Sequence, residues 1–130
     1  MQLYESSFYQ FELDGDRIVN RWKDNTDKMT YQDFKDALMT LDGSLIEHRT
    51  LNILIDTNNF KFQLPPENLE FRDKEFYPRV TKVGAVKQAI VMKKEHLQYV
   101  EDEIGSDVVV PTRYFAEESE AIAWLADSNL

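Results

Sequence analysis

Four polar residues in a row follow a short apolar segment and are the best candidates for a ligand contact. The segment Leu51–Asp56 is nearly continuous in aliphatic residues, and Asp56, Thr57, Asn58 and Asn59 stand at its end. In open α/β sheets, ligands bind beyond the carboxyl ends of the parallel strands, so this cluster would meet a ligand or a partner. The alternative is that these residues build a turn by hydrogen-bonding nearby backbone.

Arg113 is the second polar candidate. A guanidinium can hold a carboxylate or a phosphate through two parallel hydrogen bonds. The alternative is an exposed arginine that pairs with one of the 24 acidic residues of the chain.

Aromatic residues are concentrated between the polar cluster and a proline-bounded helix. The set is Phe60, Phe62, Phe71, Phe76 and Tyr77. Either these side chains line an apolar groove that takes a small apolar or lipid-like ligand, or they pack as ordinary core. The first interpretation predicts a ligand-binding groove near Phe60–Tyr77.

The composition removes several kinds of chemistry. The chain has no cysteine, which excludes disulfides, thiolate zinc sites and cysteine nucleophiles. The two histidines, His48 and His96, fall on separate predicted helices, and the acids between Glu101 and Asp107 do not follow calcium-loop spacing. The four glycines are isolated, so no phosphate-binding loop is present. We therefore expect no metal, no cofactor and no catalytic residue.

The charge and hydropathy of the chain restrict its partners and its location. The formal net charge is −9, and the acids are spread along the chain, which repels nucleic acid and anionic membranes. No apolar run approaches the roughly 18 residues of a membrane span, and the first residues lack the pattern of a signal peptide. We expect a cytoplasmic protein that neither binds nucleic acid nor inserts into membranes.

The elements that position these residues begin with a β-hairpin. Residues 2–13 alternate in polarity and predict one strand, Asp14–Asp16 suits a tight turn, and Arg17–Trp22 predicts the returning strand. The later elements alternate: a helix from Tyr31, a strand over Leu51–Asp56, a helix over Glu67–Tyr77, a strand over Val86–Met92, a helix over Lys94–Ile104 closed by Gly105, a strand over Val108–Phe115 and a helix over Glu117–Leu125.

This order predicts an α/β fold in one domain over residues 1–130. An N-terminal hairpin followed by alternating strands and helices favours a mixed sheet, with parallel later strands and helices packed on it. Thr30 is the candidate N-cap of the first helix. The pair Asp42-Gly43 either ends that helix or lies inside it, and Pro78 either ends or kinks the second one.

The chain resembles the SpoIIAA-like, STAS-type family in three segments. The C-terminal part has an aromatic pair in Thr112–Phe115, then a short acidic turn and the helical string Glu120–Leu125. Trp22 followed by Met29–Phe34 resembles the tryptophan strand and first helix of the family. Ile53–Thr57 resembles its central strand, which ends in an acid.

The resemblance implies stacked β-α units around a mixed sheet, similar to anti-sigma-factor antagonists and to lipid-cradling proteins of the CRAL-TRIO type. One feature of the regulated antagonists is missing. Their phosphorylatable serine begins a helix in an Asp-Ser-Ser-Gly-like string, whereas Asp56–Asn59 is followed by Phe60–Gln63 and two prolines. We therefore expect no phosphoserine switch.

The leading functional hypothesis is a non-enzymatic regulatory module of STAS type, which contacts a protein partner or forms a homodimer. The second hypothesis is a carrier of a small apolar ligand in the groove near Phe60–Tyr77. The third is an enzyme that uses Asp56 as an acid or base in a closed pocket.

Overall fold

A six-stranded mixed sheet organises the chain, with the strands side by side in sequence order. The computed structural model describes residues 1–82, 84, 86–105 and 107–127. The strands are β1 (Gln2–Glu5), β2 (Tyr9–Asp14), β3 (Arg17–Trp22), β4 (Asn52–Asp56), β5 (Lys87–Val91) and β6 (Thr112–Phe115). β1 to β3 pair antiparallel, and β3 to β6 pair parallel. The predicted fold class is therefore confirmed.

Four α-helices within the described residues cover the sheet. They are α1 (Tyr31–His48), α2 (Pro66–Phe71), α3 (Tyr77–Val80) and α4 (Glu118–Ala126). A π-helical turn over Arg72–Phe76 joins α2 to α3, and short 3₁₀ helices span Thr26–Lys28 and Lys94–Tyr99. The larger core lies between the sheet and α1 with the α2–α3 segment (residues 66–80), and a smaller core lies under α4 on the other face.

The strand register decides which residues face each helical layer. Asn20, Ile55 and Ile90 stand opposite one another on β3, β4 and β5. Because successive side chains of a strand point to opposite faces, this row faces α1, and the next row faces α4. Arg21 and Asp56 are paired in that next row. Residues that are adjacent in a strand therefore face different helical layers, one towards α1 and the next towards α4.

Helix α1 continues through Gly43 to His48, so the pair Asp42-Gly43 does not end it. Thr30 is the N-cap as predicted: its hydroxyl accepts from Asp33 N, and the Asp33 carboxylate accepts from Thr30 N. A glycine inside a helix is disfavoured by about 1 kcal/mol relative to alanine. Full burial of Leu41 and Leu45 on either side of Gly43 outweighs that penalty.

The prediction of one strand over residues 2–13 is wrong, because the chain turns within it. Ser6 Oγ accepts from the backbone N–H groups of Phe8 and Tyr9 at 3.1 and 3.2 Å. This local side-chain turn competes with an extended backbone and reverses the chain. The N-terminal region consequently forms two antiparallel strands, β1 and β2, before the predicted turn into β3.

The prediction of a third helix over Lys94–Ile104 is also wrong, as is its closure by Gly105. Only a 3₁₀ helix forms, over Lys94–Tyr99, with no side chain capping its first turn. Glu103 then pairs antiparallel with Thr112 through backbone bonds of 2.7 and 2.9 Å. These bonds hold the chain extended, and β6 begins at Thr112 rather than at Val108.

Pro78 neither ends nor simply kinks the second helix. The helix changes to π-helical turns over Arg72–Phe76 and resumes as α3, with Pro78 in its first turn. A proline is tolerated in the first turn of a helix because its missing N–H has no partner there. The π-helical turn thus leads directly into α3 at Tyr77, and the helical segment stays continuous.

Candidate functional site

A cavity of about 120 Å³ lies between the sheet and the α1 and α2–α3 layers, and we call it the central cavity. Its floor is formed by strand residues near the carboxyl ends of β3, β4 and β5, among them Asn20, Ile55 and Ile90. Gln88 of β5 also belongs to the floor, and the walls come from the end of β3, the two helical layers and the chain after β4: Trp22, Phe34, Ala37, Leu38, Leu41, Thr57, Phe60, Leu64, Arg72, Phe76 and Tyr77. The cavity therefore lies against one face of the sheet, close to the strand ends at which open α/β sheets hold ligands.

Aromatic rings make up much of the wall. The rings of Trp22 and Phe34 stack with 5.8 Å between centroids, and Phe60 approaches Trp22 at 4.9 Å. Phe62 stacks on Phe34 from behind, at 6.1 Å. Rings held by one another in this way give a rigid apolar surface that suits an apolar ligand.

The floor carries two buried amide side chains with different surroundings. Gln88 is 5% exposed, and its Nε2 donates to Tyr77 Oη and to Thr112 Oγ1, both at 3.3 Å. Asn20 is 3% exposed, and its Oδ1 has no hydrogen-bond partner among the described residues. A buried amide group without a partner is uncommon in native proteins and calls for an explanation.

Two ionisable residues line the cavity. Burial raises the pKa of the Tyr77 phenol, which therefore stays neutral and able to donate a hydrogen bond. The Arg72 guanidinium lies 5.2 Å from the centre of the Tyr77 ring, and its Nε donates to Asp73 at 3.0 Å. The only formal charge in the lining therefore lies over an aromatic ring and already has a carboxylate beside it.

Four of the residues named from the sequence line this cavity, and one of them is the buried Phe76. Phe60 and Tyr77 lie in its wall, together with Thr57 from the polar cluster. The Thr57 hydroxyl donates to the carbonyl of Val91 at 2.8 Å, which fixes the end of β4 against β5. Phe62 lies outside the cavity lining and supports it through Phe34.

Asp56 lies on the opposite face of the sheet, away from the central cavity. Its Oδ2 accepts from Arg21 Nη1 at 3.1 Å, and the same guanidinium contacts Glu118 at 2.7 Å and Glu12 at 3.4 Å. This cluster ties the first turn of α4 to the sheet. The enzyme hypothesis required a closed pocket around Asp56, whereas 23% of this side chain is exposed and it does not line the central cavity.

The other two residues of the polar cluster shape the turn after β4. The backbone N–H and the side-chain amide of Asn58 both donate to Asp56 Oδ1, at 3.0 and 2.9 Å. The carbonyl of Asn59 lies 3.5 Å from the hydroxyl of Thr26. These contacts are those of a turn that hydrogen-bonds its own neighbourhood.

Arg113 lies on the α4 face, at the edge strand. Its Nε donates to Asp102 at 3.0 Å, and its guanidinium lies 5.2 Å from the centre of the Phe115 ring and 5.9 Å from that of Trp124. Arg113 is therefore not brought near the central cavity. It holds the segment before β6 against the end of the sheet.

Sequence reasoning missed the polar residues of the cavity floor and Arg72. The signal for Asn20 and Gln88 was present: each is a polar residue on the core-facing side of an otherwise apolar strand. A polar side chain in the inward phase of a buried strand marks either a hydrogen-bond network or a ligand site. The described residues contain no group of three or more acidic or histidine side chains that could hold a metal ion.

The comparison with protein families identifies the chain. The model of the SpoIIAA-like family matches residues 22–126, so the chain belongs to this STAS-type family. The match includes nearly all of the residues that line the central cavity. No curated protein and no solved structure matches the chain significantly. Among the described residues, no helix has both the length and the apolar character needed to cross a membrane.

Proposed function

We propose that this protein is a non-enzymatic binding module whose central cavity holds a small apolar ligand. The observation that carries the proposal is the cavity itself: about 120 Å³, walled by aromatic rings and located at the carboxyl ends of parallel strands. The carrier hypothesis required that the aromatic residues near Phe60–Tyr77 should not all be sealed in core. Phe76 is buried, whereas Phe60 and Phe71 are only partly buried.

The cavity volume limits the size of the ligand. Sites for drug-sized ligands measure about 300–1,000 Å³, whereas an engineered apolar cavity of about 150 Å³ binds benzene. A cavity of about 120 Å³ therefore suits a molecule of one ring rather than a complete lipid chain.

A nuclear magnetic resonance titration with toluene tests this proposal. We expect shifts of the amide signals of cavity residues, including the indole N–H of Trp22, with saturation. The control variant is Ala37→Leu, since Ala37 is 1% exposed in the cavity wall and the additional carbons of leucine fill the space. A folded Ala37→Leu chain should give no such shifts. Equal titration of both chains, or none by the wild type, refutes the proposal.

We also infer that the module works without a phosphoserine switch. After β4 the chain carries Thr57, whose hydroxyl donates to a carbonyl, and then a turn and irregular residues up to the helix at Pro66. A phosphate on Thr57 would break that hydrogen bond. Mass spectrometry of phosphopeptides from protein isolated from its own cells tests the inference. A phosphate found on Thr57 at substantial occupancy contradicts it.

A protein partner is the second candidate function, and exposed apolar residues favour it. Tyr99, Ile104 and Val109, between β5 and β6, are 78%, 53% and 60% exposed. Exposed apolar surface is typical of contact surfaces, and these three residues come from one segment of the chain. If this segment forms a homodimer, light scattering should give twice the mass of the chain for the wild type and a single mass for Tyr99→Glu. A wild-type monomer at high concentration contradicts the dimer.

A further inference from the structure

The Asn20 amide is the one feature of the central cavity that the apolar lining does not explain. Asn20 lies on the floor, on β3, and is 3% exposed. Its Oδ1 has no hydrogen-bond partner in the part of the chain that the structure describes. Gln88, the other buried amide of the floor, differs in that its Nε2 donates to Tyr77 and to Thr112.

An amide offers both a donor and an acceptor from one planar group, so its complement is a group that can serve either role. A hydroxyl is such a group, because it carries one donor and two acceptor lone pairs. The rest of the cavity is mostly apolar and is sized for about one ring. A ligand that satisfies both features has one ring and one hydroxyl.

We propose that the central cavity binds a small neutral ring compound of the phenol class, with its ring against Trp22 and Phe60 and its hydroxyl on the Asn20 amide. The inference rests on the proposed function and specifies its ligand.

The electrostatics of the floor favour a neutral ligand over an ion. Asn20 and Gln88 are uncharged, and Tyr77 is a neutral phenol. The single cation of the lining, Arg72, already has its Nε on Asp73 and its guanidinium over the Tyr77 ring. A carboxylate ligand would have to compete with Asp73 for Arg72, whereas a hydroxyl on Asn20 displaces no protein partner.

Isothermal titration calorimetry of the full chain with phenol, toluene and benzoate tests the inference. Phenol and toluene differ at one substituent, so their affinity ratio isolates the hydroxyl. We expect phenol to bind about tenfold more tightly than toluene, the factor that one buried hydrogen bond supplies. Benzoate should bind more weakly than phenol.

The matched variant is Asn20→Leu, which replaces the amide by an apolar side chain of similar size. It should lose the preference for phenol and keep its affinity for toluene, and toluene binding shows at the same time that the variant is folded with its cavity open. If this variant fails to fold, the ratio of phenol to toluene affinity in the wild type still tests whether the cavity prefers a hydroxyl-bearing ligand.

The outcomes separate the two proposals. Toluene binding as tightly as phenol in the wild type overturns the phenol class and leaves the binding function standing. A phenol preference that survives Asn20→Leu overturns the role of Asn20. Benzoate binding more tightly than phenol places the polar group of the ligand at Arg72 and also overturns the inference. If none of the three compounds binds, the proposed function fails together with it.

Discussion

Replacing Asn20 by leucine should make the ligand-free protein more stable. Asn20 is 3% exposed and its Oδ1 has no partner among the described residues, so no hydrogen bond within the described part of the protein offsets the burial of this oxygen. A buried polar group left in this state costs about 1–3 kcal/mol. Leucine has a similar size and needs no hydrogen bond. We expect Asn20→Leu to raise the free energy of unfolding by about 1–3 kcal/mol, and the melting temperature by roughly 3–10 °C.

Gln88→Leu provides the matched control, because it makes a similar chemical change on the same floor. Gln88 is 5% exposed but donates to Tyr77 and to Thr112. Its replacement leaves the Tyr77 hydroxyl without this partner, and we expect a loss of about 1 kcal/mol or more.

Urea denaturation followed by circular dichroism measures both free energies, and an unchanged dependence on urea confirms that only stability has changed. A gain in the free energy of unfolding for Asn20→Leu and a loss for Gln88→Leu support the interpretation that the Asn20 amide serves a ligand. A loss of stability in Asn20→Leu as large as in Gln88→Leu refutes it, since the amide would then serve the fold.

Three further changes test other parts of the structure. Asp42→Asn should stabilise the chain at neutral pH, because burial raises the pKa of the Asp42 carboxyl. Stability linked to protonation of Asp42 is present in full below the unfolded pKa of about 4 and is lost as pH rises through the higher folded pKa. The free energies of unfolding of the two chains, measured in urea, should therefore converge at low pH. A difference in free energy that stays constant with pH contradicts the reasoning. Arg21→Gln should lower the free energy of unfolding by about 1 kcal/mol, because its carboxylate partners lose their cation, and high salt should reduce this loss. Lys74→Gln removes an exposed ion pair and should change the free energy little. Equal losses for the two variants in urea denaturation contradict this reasoning. Thr30→Ala should cost about 1 kcal/mol by thermal denaturation, because it removes the hydroxyl of a capping box, and an unchanged melting temperature contradicts that role.

The fold could be predicted from the sequence where local pattern and tertiary packing agree. The continuous apolar run at β4 and the N-cap at Thr30 both gave correct elements. The errors arose where a local contact overrides the pattern. Ser6 turns the chain inside an alternating segment, and the backbone pairing of Glu103 with Thr112 extends a segment that has helical spacing. Neither contact leaves a periodic trace in the sequence.

The candidate site could be predicted only in part, for a geometric reason. The sequence predicted a ligand or partner contact for the residues after β4, and one of them, Thr57, lines the central cavity. Sequence position alone does not decide to which face a side chain points, and a shift of one residue reverses it. Asp56 consequently points to α4, and the polar groups of the cavity come from Asn20 and Gln88 on neighbouring strands.

Native mass spectrometry tests the central claim most directly, applied to the full chain purified under mild conditions from the cells that make it. We expect part of the wild-type protein to carry the added mass of a small molecule, and this mass should be absent from Ala37→Leu, in which the cavity is filled. Two results contradict the claim that the central cavity is a ligand-binding site. One is an added mass that persists in Ala37→Leu. The other is a wild-type chain that carries no added mass and binds neither phenol nor toluene when they are added before the measurement.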